Sequence, residues 1–475
     1  MSDHQEMAGG TLYHRIAETL RLEIGKGVYE VGDRLPSLRG LCRRFQVSLG
    51  TAVEAYGQLQ DEGWVSSRDR SGFFVARNRA DLLDRPRTLS PRLAARPVTV
   101  GSLAIAVMED ARRAGLVRLG AGIPGDDLLP TGVLSRALSA AARGSAGQGH
   151  GYEELAGSLP LRRQITRLMA EAGIVCDPDE VVVTNGCQEA LTVSLLALTR
   201  PGDTILVESP AFFGLLQVAE ALNLKVVELP IRYGEGIDPQ EFRKTLRDHP
   251  IAACLITPNI SNPLGAITSD ATKQKLVEIA SEAGVPLIED DIFGFMPFSA
   301  SRPLAASAFD RSGNTVLCSS FSKTIAPGLR IGWVLPGKYR ERIRHRKFLL
   351  NISTSGPPQM ALAGALARGV FGRSVRGMMG TLQKRMERMR QDLADFFPAE
   401  TRVTHPEGGL FLWVELPEGT DSERLYQRAL EAGIGIIPGS LFSVGGDYRN
   451  HIRLTYAAVD ETISRRAIQT LAGLI

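Results

Sequence analysis

Lys323 stands in the run SSFSKTIAPGLRIGW, residues 319–333, in a hydroxyl-rich turn directly after the apolar stretch TVLCSS. A lysine at a strand end is ordinarily solvated. Here its company is Ser320, Ser322 and Arg330. Two hydroxyls and a guanidinium can together bind a phosphate dianion while the amine attacks an aldehyde. The pattern points to an imine-forming lysine beside a phosphate site.

Two further elements could serve such chemistry. Asn185-Gly186-Cys187-Gln188 lies between the strand-like EVVVT and the helical EALTVSLLAL. Backbone amides at a helix start favour an anion through unpaired N–H groups and the helix dipole, although one strand-glycine-helix junction is weak by itself. Glu289-Asp290-Asp291 ends the strand-like VPLIEDD. A carboxylate there could keep a pyridine nitrogen protonated and make the ring an electron sink; acids at a strand end also serve as helix caps or metal ligands. Gly120-Ala121-Gly122-Ile123-Pro124-Gly125 satisfies a GxGxxG spacing. Pro124 and the following DDLLP leave no helix to open on a pyrophosphate, so a dinucleotide site is rejected there.

The elements that position these residues begin after about 115. Strand-like runs (EVVVT, DTILVES, AACLIT, VPLIEDD, TVLCSS) alternate with longer helical patterns, as in a mixed α/β sheet flanked by helices. LFLWVEL and HIRLTYA around the helical ERLYQRALEAG read as a smaller α+β lobe. Upstream, three helical stripes follow one another: Leu12, Ile16, Leu20 and Ile24; Leu38, Leu41, Cys42 and Phe45 after Ser37; Ala52, Ala55, Tyr56 and Leu59 after Ser48. Two short strands around SSRDRSG complete a winged helix-turn-helix, whose third helix would enter a DNA major groove. Arg34, Arg39, Arg43, Arg44, Arg68 and Arg70 surround the second helix and the wing, where phosphates would lie. The expected organisation is a winged helix-turn-helix at 11–77, an Arg- and Pro-rich linker at 78–115, and the α/β unit at 116–475.

The chain has 475 residues, 44% hydrophobic and 23% charged, which exceeds one domain and excludes a mainly disordered protein. Lys plus Arg total 55 against 52 Asp plus Glu, a net +3 that leaves nucleic-acid binding to a local patch. No apolar run reaches membrane-span length and no secretory pattern opens the chain, so a cytoplasmic protein is expected. The five cysteines form no CxxC pair, which suggests neither a zinc ribbon nor a disulfide framework. The basic KYRERIRHRK near 338 reads as a solvated helix face.

Taken together, the motifs carry a resemblance. GDRLPSLRGLCRRFQVSLGTAVEAYGQLQDEGWV and RSGFFV resemble the GntR family of winged-helix regulators. YEELAGSLPLR, TNGCQEAL, ESPAFFG, TPNISNPLG, EDDIFG, SFSKTIAPGLRIGW, GGLFLWVEL and HIRLTYA resemble fold-type I, aspartate-aminotransferase-like pyridoxal-phosphate proteins. That domain order is similar to the MocR-type subfamily. The resemblance implies a large and a small lobe, pyridoxal 5'-phosphate as cofactor, Lys323 as the Schiff-base lysine and Asp290 as partner of the pyridinium nitrogen. Asn262 would donate to the ring's phenolic oxygen and Phe212 would stack on the ring. Gly186, Cys187, Gln188, Ser320, Ser322 and Arg330 fall at phosphate-cradle positions. Tyr152 would reach the phosphate of a neighbouring subunit, and Arg453 matches an arginine that grips a substrate α-carboxylate.

Two departures stand out. Many relatives carry tyrosine where this chain has Phe293, and an arginine where Leu49-Gly50 follows Val47-Ser48. Leu49 would meet a thymine methyl rather than a guanine edge. The expected DNA-facing set is Ser37, Arg39, Arg43, Arg44, Ser48, Leu49, Thr51, Arg68 and Arg70. The implied function is a regulator that binds double-stranded operator DNA and senses an amine or amino acid by aldimine exchange, as a head-to-tail homodimer. The alternative is a working aminotransferase with an accessory DNA-binding domain.

Overall fold

Periodicity decides the first unit. The computed structural model describes residues 12–25, 28–61, 63–68, 71–76, 80, 83–91, 93–111, 113–144 and 151–475. The chain divides into two units, residues 1–83 with 387–397, and residues 84–386 with 398–475. In the first, the helix Leu12–Gly25 buries Ile16, Ala17 and Leu20 against Leu41 of the helix Leu38–Phe45 and against Ala52, Ala55, Tyr56 and Leu59 of the helix Leu49–Asp61. The Ser37 hydroxyl accepts from Gly40 N at 3.1 Å and starts the second helix. Gln46 stops it in the left-handed region, φ 55°, with its N–H bonded to Cys42 O. That tight turn separates the second and third helices.

The wing is an antiparallel pair, Val65–Arg68 with Gly72–Val75. It is held by the Phe73 ring stacked on Tyr56 at 4.0 Å. Arg70, the side chain of Arg68, and the expected limits at 11 and 77 lie outside the described residues.

The second unit contains a nine-stranded sheet among its described residues. Its parallel centre runs Lys225–Arg232, Thr204–Ser209, Ile251–Ile256, Leu287–Asp290 and Thr315–Ser320. Gly332–Leu335 and Val182–Thr184 extend it antiparallel. The central strands are apolar on both faces because helices cover both, which is why they appear in the sequence as continuous apolar runs. A four-stranded antiparallel sheet, ordered Arg402–Val403, Phe411–Glu415, His451–Thr455 and Ile437–Pro438, forms the smaller lobe.

The stretch read as a linker is structured from residue 84 onward. Asp84 O accepts from Val403 N at 2.8 Å and Arg87 N donates to Glu415 at 2.7 Å. Arg96–Pro97 adds an edge strand to Lys225–Arg232. The helix Gly101–Asp110 packs on the helix Phe213–Ala221, with Gly101 N bonded to Glu220 at 2.8 Å. Its buried face is only Ala104 and Val107, too short a stripe to announce a helix from sequence.

Candidate functional site

Parallel strands that end together leave a crevice at their carboxyl ends, and the second unit uses it. Leu287–Asp290 delivers Asp290, Thr315–Ser320 delivers Ser320 and the turn bearing Lys323, and Thr204–Ser209 leads to Phe212. Asn262, Arg330, Arg453 and these residues line one cavity of about 1100 Å³. Gly186 stands at the N-cap of the helix Cys187–Leu198, whose first residues line the same cavity.

Three consecutive acids are sorted by the fold. Glu289 accepts from Ala306 N, Ser307 N and the Ser307 hydroxyl at 2.7–2.8 Å. Asp291 is paired with Arg302 and accepts from Asn259 Nδ2 at 3.2 Å. Only Asp290 faces the cavity. Its Oδ1 accepts from Ile292 N at 3.1 Å and from the Cys187 thiol at 3.4 Å. Burial pushes its carboxyl up to about 6.

Lys323 Nζ donates to Gly122 O at 2.7 Å. Burial, reinforced by the positive Arg453, pulls its ammonium down to about 8, so a reactive neutral amine is populated near neutral pH. Arg330 takes a left-handed backbone, φ 55°, and spreads its guanidinium to Asn185 O at 3.0 Å and the Ser322 hydroxyl at 3.4 Å. A Cβ on Gly186 would fall 2.5 Å from Arg330 Nη2, so glycine lets that cation approach the helix start. This juxtaposition of cation, hydroxyl and first-turn amides fits a phosphate.

Arg453 is 2% exposed at the centre of the small sheet, its Cζ 4.0 Å over the Phe411 ring. It donates to Gly120 O at 2.9 Å and to Asn262 Oδ1 at 3.2 Å, while Nε has no partner. Burial lowers it to about 9. A buried guanidinium with an unused N–H in a cavity fits an incoming carboxylate. Because a guanidinium only donates, it fixes the Asn262 amide with Oδ1 toward Arg453 and leaves Nδ2 as a donor for the cavity.

Several expected side chains are engaged otherwise. The Cys187 thiol points to Asp290, and Gln188 Nε2 donates to Gly214 O at 2.9 Å, so only their backbone N–H groups face an anion site. The Ser320 hydroxyl accepts from Ser322 N at 3.3 Å. Phe212 lines the cavity, and a Cβ on Gly214 would lie 2.5 Å from its Cζ, so glycine there leaves room for the ring. Phe293, 3% exposed, meets Phe411 edge to face at 5.7 Å. Tyr152 is 83% exposed and lies apart from the cavity lining.

The stretch Gly120–Gly125, rejected as a dinucleotide loop, belongs to the site through its backbone. The carbonyls of Gly120 and Gly122 hold Arg453 and Lys323. Sequence reasoning missed these carbonyls, the Cys187–Asp290 bond and Phe411. A carbonyl's role has no residue-type signal.

On the first unit, Arg39 and Arg43 are exposed, while Arg44 is paired with Glu23 and stacked beside Phe45. That ion pair competes with any phosphate for the Arg44 guanidinium. Ser37 and Ser48 accept from backbone N–H groups of their own helices, and the Ser48 and Thr51 hydroxyls bond each other at 2.9 Å. Leu49 and Val53 are 57% and 50% exposed on one face of the third helix, one turn apart. Val53 was missed, although its i, i+4 spacing from Leu49 was legible.

Residues 114–471 match the model of the aminotransferase class I and II family, and residues 12–75 that of bacterial regulatory proteins of the gntR family. The chain is 34% identical over 467 residues to the uncharacterized HTH-type transcriptional regulator YjiR of Escherichia coli K12, covering 98% of this chain and 99% of that one. It is 26% identical over 470 residues to the probable rhizopine catabolism regulatory protein MocR of Rhizobium meliloti, covering 97% and 93%. Among solved structures, Pyrococcus horikoshii kynurenine aminotransferase superposes with a TM-score of 0.73 at 26% identity, covering 79% of this chain and 94% of that one.

Proposed function

This chain belongs to the aminotransferase class I and II family and, with its gntR-family domain, to the MocR-type regulators; from that premise we propose how its two parts work together. It is a DNA-binding transcriptional regulator whose aminotransferase-like part holds pyridoxal 5'-phosphate and senses an amine or amino acid. The observation that carries this reading is the meeting of Lys323, Asp290, Arg330 and Arg453 in one cavity, in a chain that also has three helices and a two-stranded wing ahead of it.

When bound, the cofactor supplies an aldehyde for amines and a ring that accepts electrons. The chain's residues divide the remaining work. Arg330, the Ser322 hydroxyl and the amides after Gly186 would hold the phosphate. Asp290 would keep a proton on the ring nitrogen, and Cys187 holds Asp290 in place. Phe212 would cover one ring face and Asn262 Nδ2 would donate to the phenolic oxygen. Lys323 presents the amine, and Arg453 would bind an effector's α-carboxylate bidentately, a planar match that lysine lacks. Ser320 supports the turn that carries Lys323.

An effector shifts DNA affinity only by as much as it binds two arrangements of the protein unequally. The working form is a head-to-tail homodimer in the cytoplasm, where operator DNA lies. Support for the dimer comes from exposed Tyr152 and from the exposed apolar run Phe348, Leu349 and Leu350. No helix among the described residues is long and apolar enough to cross a membrane. On the DNA side, Arg39 and Arg43 make phosphate contacts, with Leu49 facing bases. Ser37, Ser48 and Thr51 stand at the helix starts beside them, and Arg44 joins only if it leaves Glu23.

The test is a titration of the cofactor-loaded protein with amines and amino acids, recording cofactor absorbance and affinity for its own upstream DNA on the same samples. An effector that changes both supports regulation. A compound that is turned over while DNA affinity stays constant favours the second reading, an aminotransferase with an accessory DNA-binding domain. The joint presence of Asp290, Lys323 and Arg453 is the observation in its favour.

A further inference from the structure

The cavity's charges are unevenly accounted for. Among its described lining residues Asp290 is the one carboxylate, against five cations: Lys323, Arg330, Arg453, Arg113 and Arg118. The first three have the roles given above. Arg113 is neutralised by Asp110, Nη2 to Oδ1 at 2.6 Å. Arg118 remains, exposed at the cavity wall, with no ion pair or side-chain hydrogen bond among the described residues.

Its backbone, by contrast, is fixed. Val117 N donates to Gly433 O and Gly435 N to Val117 O, both at 2.9 Å, and Thr455 N donates to Leu119 O at 2.7 Å. Two residues further on, Gly120 O holds Arg453. Leu119 is fully buried in the turn that follows, with Leu119 N bonded to Val117 O at 3.0 Å and Ala121 N to Arg118 O at 3.3 Å, while Arg118 itself lines the cavity. Arg118 and Arg453 are therefore tied to the same segment, Arg118 by its own backbone and Arg453 through the Gly120 carbonyl. Met108, Leu116, Ile123 and Ile437 give the same cavity an apolar wall.

We propose that the effector is an α-amino acid whose side chain is a short methylene stem ending in a second carboxylate, with Arg118 as the residue that selects it. The inference rests on the reading of Arg453 as the α-carboxylate site. The stem lies on the apolar wall and the terminal carboxylate meets the unpaired guanidinium. A monocarboxylic amino acid of equal length leaves Arg118 unused, and its amide isostere offers only half of a bidentate match.

The experiment compares L-glutamate with L-glutamine, and L-aspartate with L-asparagine, in calorimetric and absorbance titrations of the cofactor-loaded protein. L-norvaline serves as the uncharged stem. The wild type is expected to bind the better acid about tenfold more tightly than its amide, the range of one charge-assisted pair near the surface. In Arg118→Leu that acid-to-amide ratio falls to about one, and in Arg118→Lys it takes an intermediate value. Because Arg118 is exposed, the wild-type ratio also declines between 50 mM and 500 mM salt. A ratio near one in the wild type, or a ratio retained in Arg118→Leu, overturns the inference while leaving the amino-acid reading in place. If no amino acid, norvaline included, perturbs the protein, the reading of Arg453 fails and this inference falls with it.

Discussion

Replacing Arg453 by leucine separates recognition from folding. Burial holds its guanidinium well below the usual arginine range, down to about 9, a penalty of about 5 kcal/mol for keeping that charge inside. Opposing it are two charged hydrogen bonds, to Gly120 O and Asn262 Oδ1, at about 1.5–3 kcal/mol each. The contact with the Phe411 ring adds up to about 2 kcal/mol. These terms nearly cancel, so Arg453→Leu should change unfolding free energy by no more than about 3 kcal/mol. Ligand selectivity has no such compensation. Loss of a buried bidentate partner should weaken α-amino acids by about 2–4 kcal/mol, roughly 30- to 1000-fold, and leave simple amines nearly unaffected. Absorbance titrations of the cofactor-loaded wild type and variant with L-alanine and ethylamine, alongside denaturant unfolding, measure both quantities. Equal losses for the amine and the amino acid, or a large stability loss with selectivity intact, would refute the reasoning.

Four other outcomes follow from the same geometry. Lys323 is held near 8, so its neutral fraction, and with it the rate at which the apo-protein captures pyridoxal phosphate into a borohydride-stable adduct, should rise about tenfold from pH 7 to 9; Lys323→Ala should show no adduct on that lysine's peptide. Cys187→Ala removes a donor from Asp290 and should weaken retention of the cofactor by about fivefold, whereas Cys187→Ser restores it; equal values for the two variants would leave the thiol without this role. Phe293→Tyr adds a donor beside Asn262 and should lower the pH at which the bound cofactor's visible spectrum titrates, and coincident curves would count against that assignment. Replacing Arg39 and Arg43 together should flatten the slope of log DNA affinity against log salt by about 1–2, from about 0.9 per phosphate contact, and an unchanged slope would put the DNA elsewhere.

The three-helix reading head was legible because its stripes repeat every three or four residues and its caps are residue types with one geometric use. Ser37, Ser48 and the turn at Gln46 are local features, and local features survive in a linear string. Lys323 was legible for another reason, its hydroxyl-rich turn with Ser320, Ser322 and Arg330, whereas Asp290 and Arg453 were picked out by the resemblance of EDDIFG and HIRLTYA to fold-type I proteins. The α/β character of the second unit followed from alternating apolar runs and helical patterns.

Other features depended on pairings between distant residues. Sequence spacing alone left Glu289, Asp290 and Asp291 as three candidates; Ser307 and Arg302 claim two and leave the third to the cavity. It offered the backbone amides at Gly186-Cys187-Gln188 to an anion but did not show that the two side chains turn instead to Asp290 and Gly214. It read residues 78–115 as a linker because the two-residue edge strand and narrow-striped helix within them take their stability from Lys225–Arg232 and Phe213–Ala221, not from their own periodicity. The sequence by itself determined which elements form and which residue types bring chemistry. Tertiary structure decided which polar atoms remain unclaimed and face the cavity, because hydrogen-bond satisfaction and burial depend on neighbours up to 333 positions away, the separation between Gly120 and Arg453.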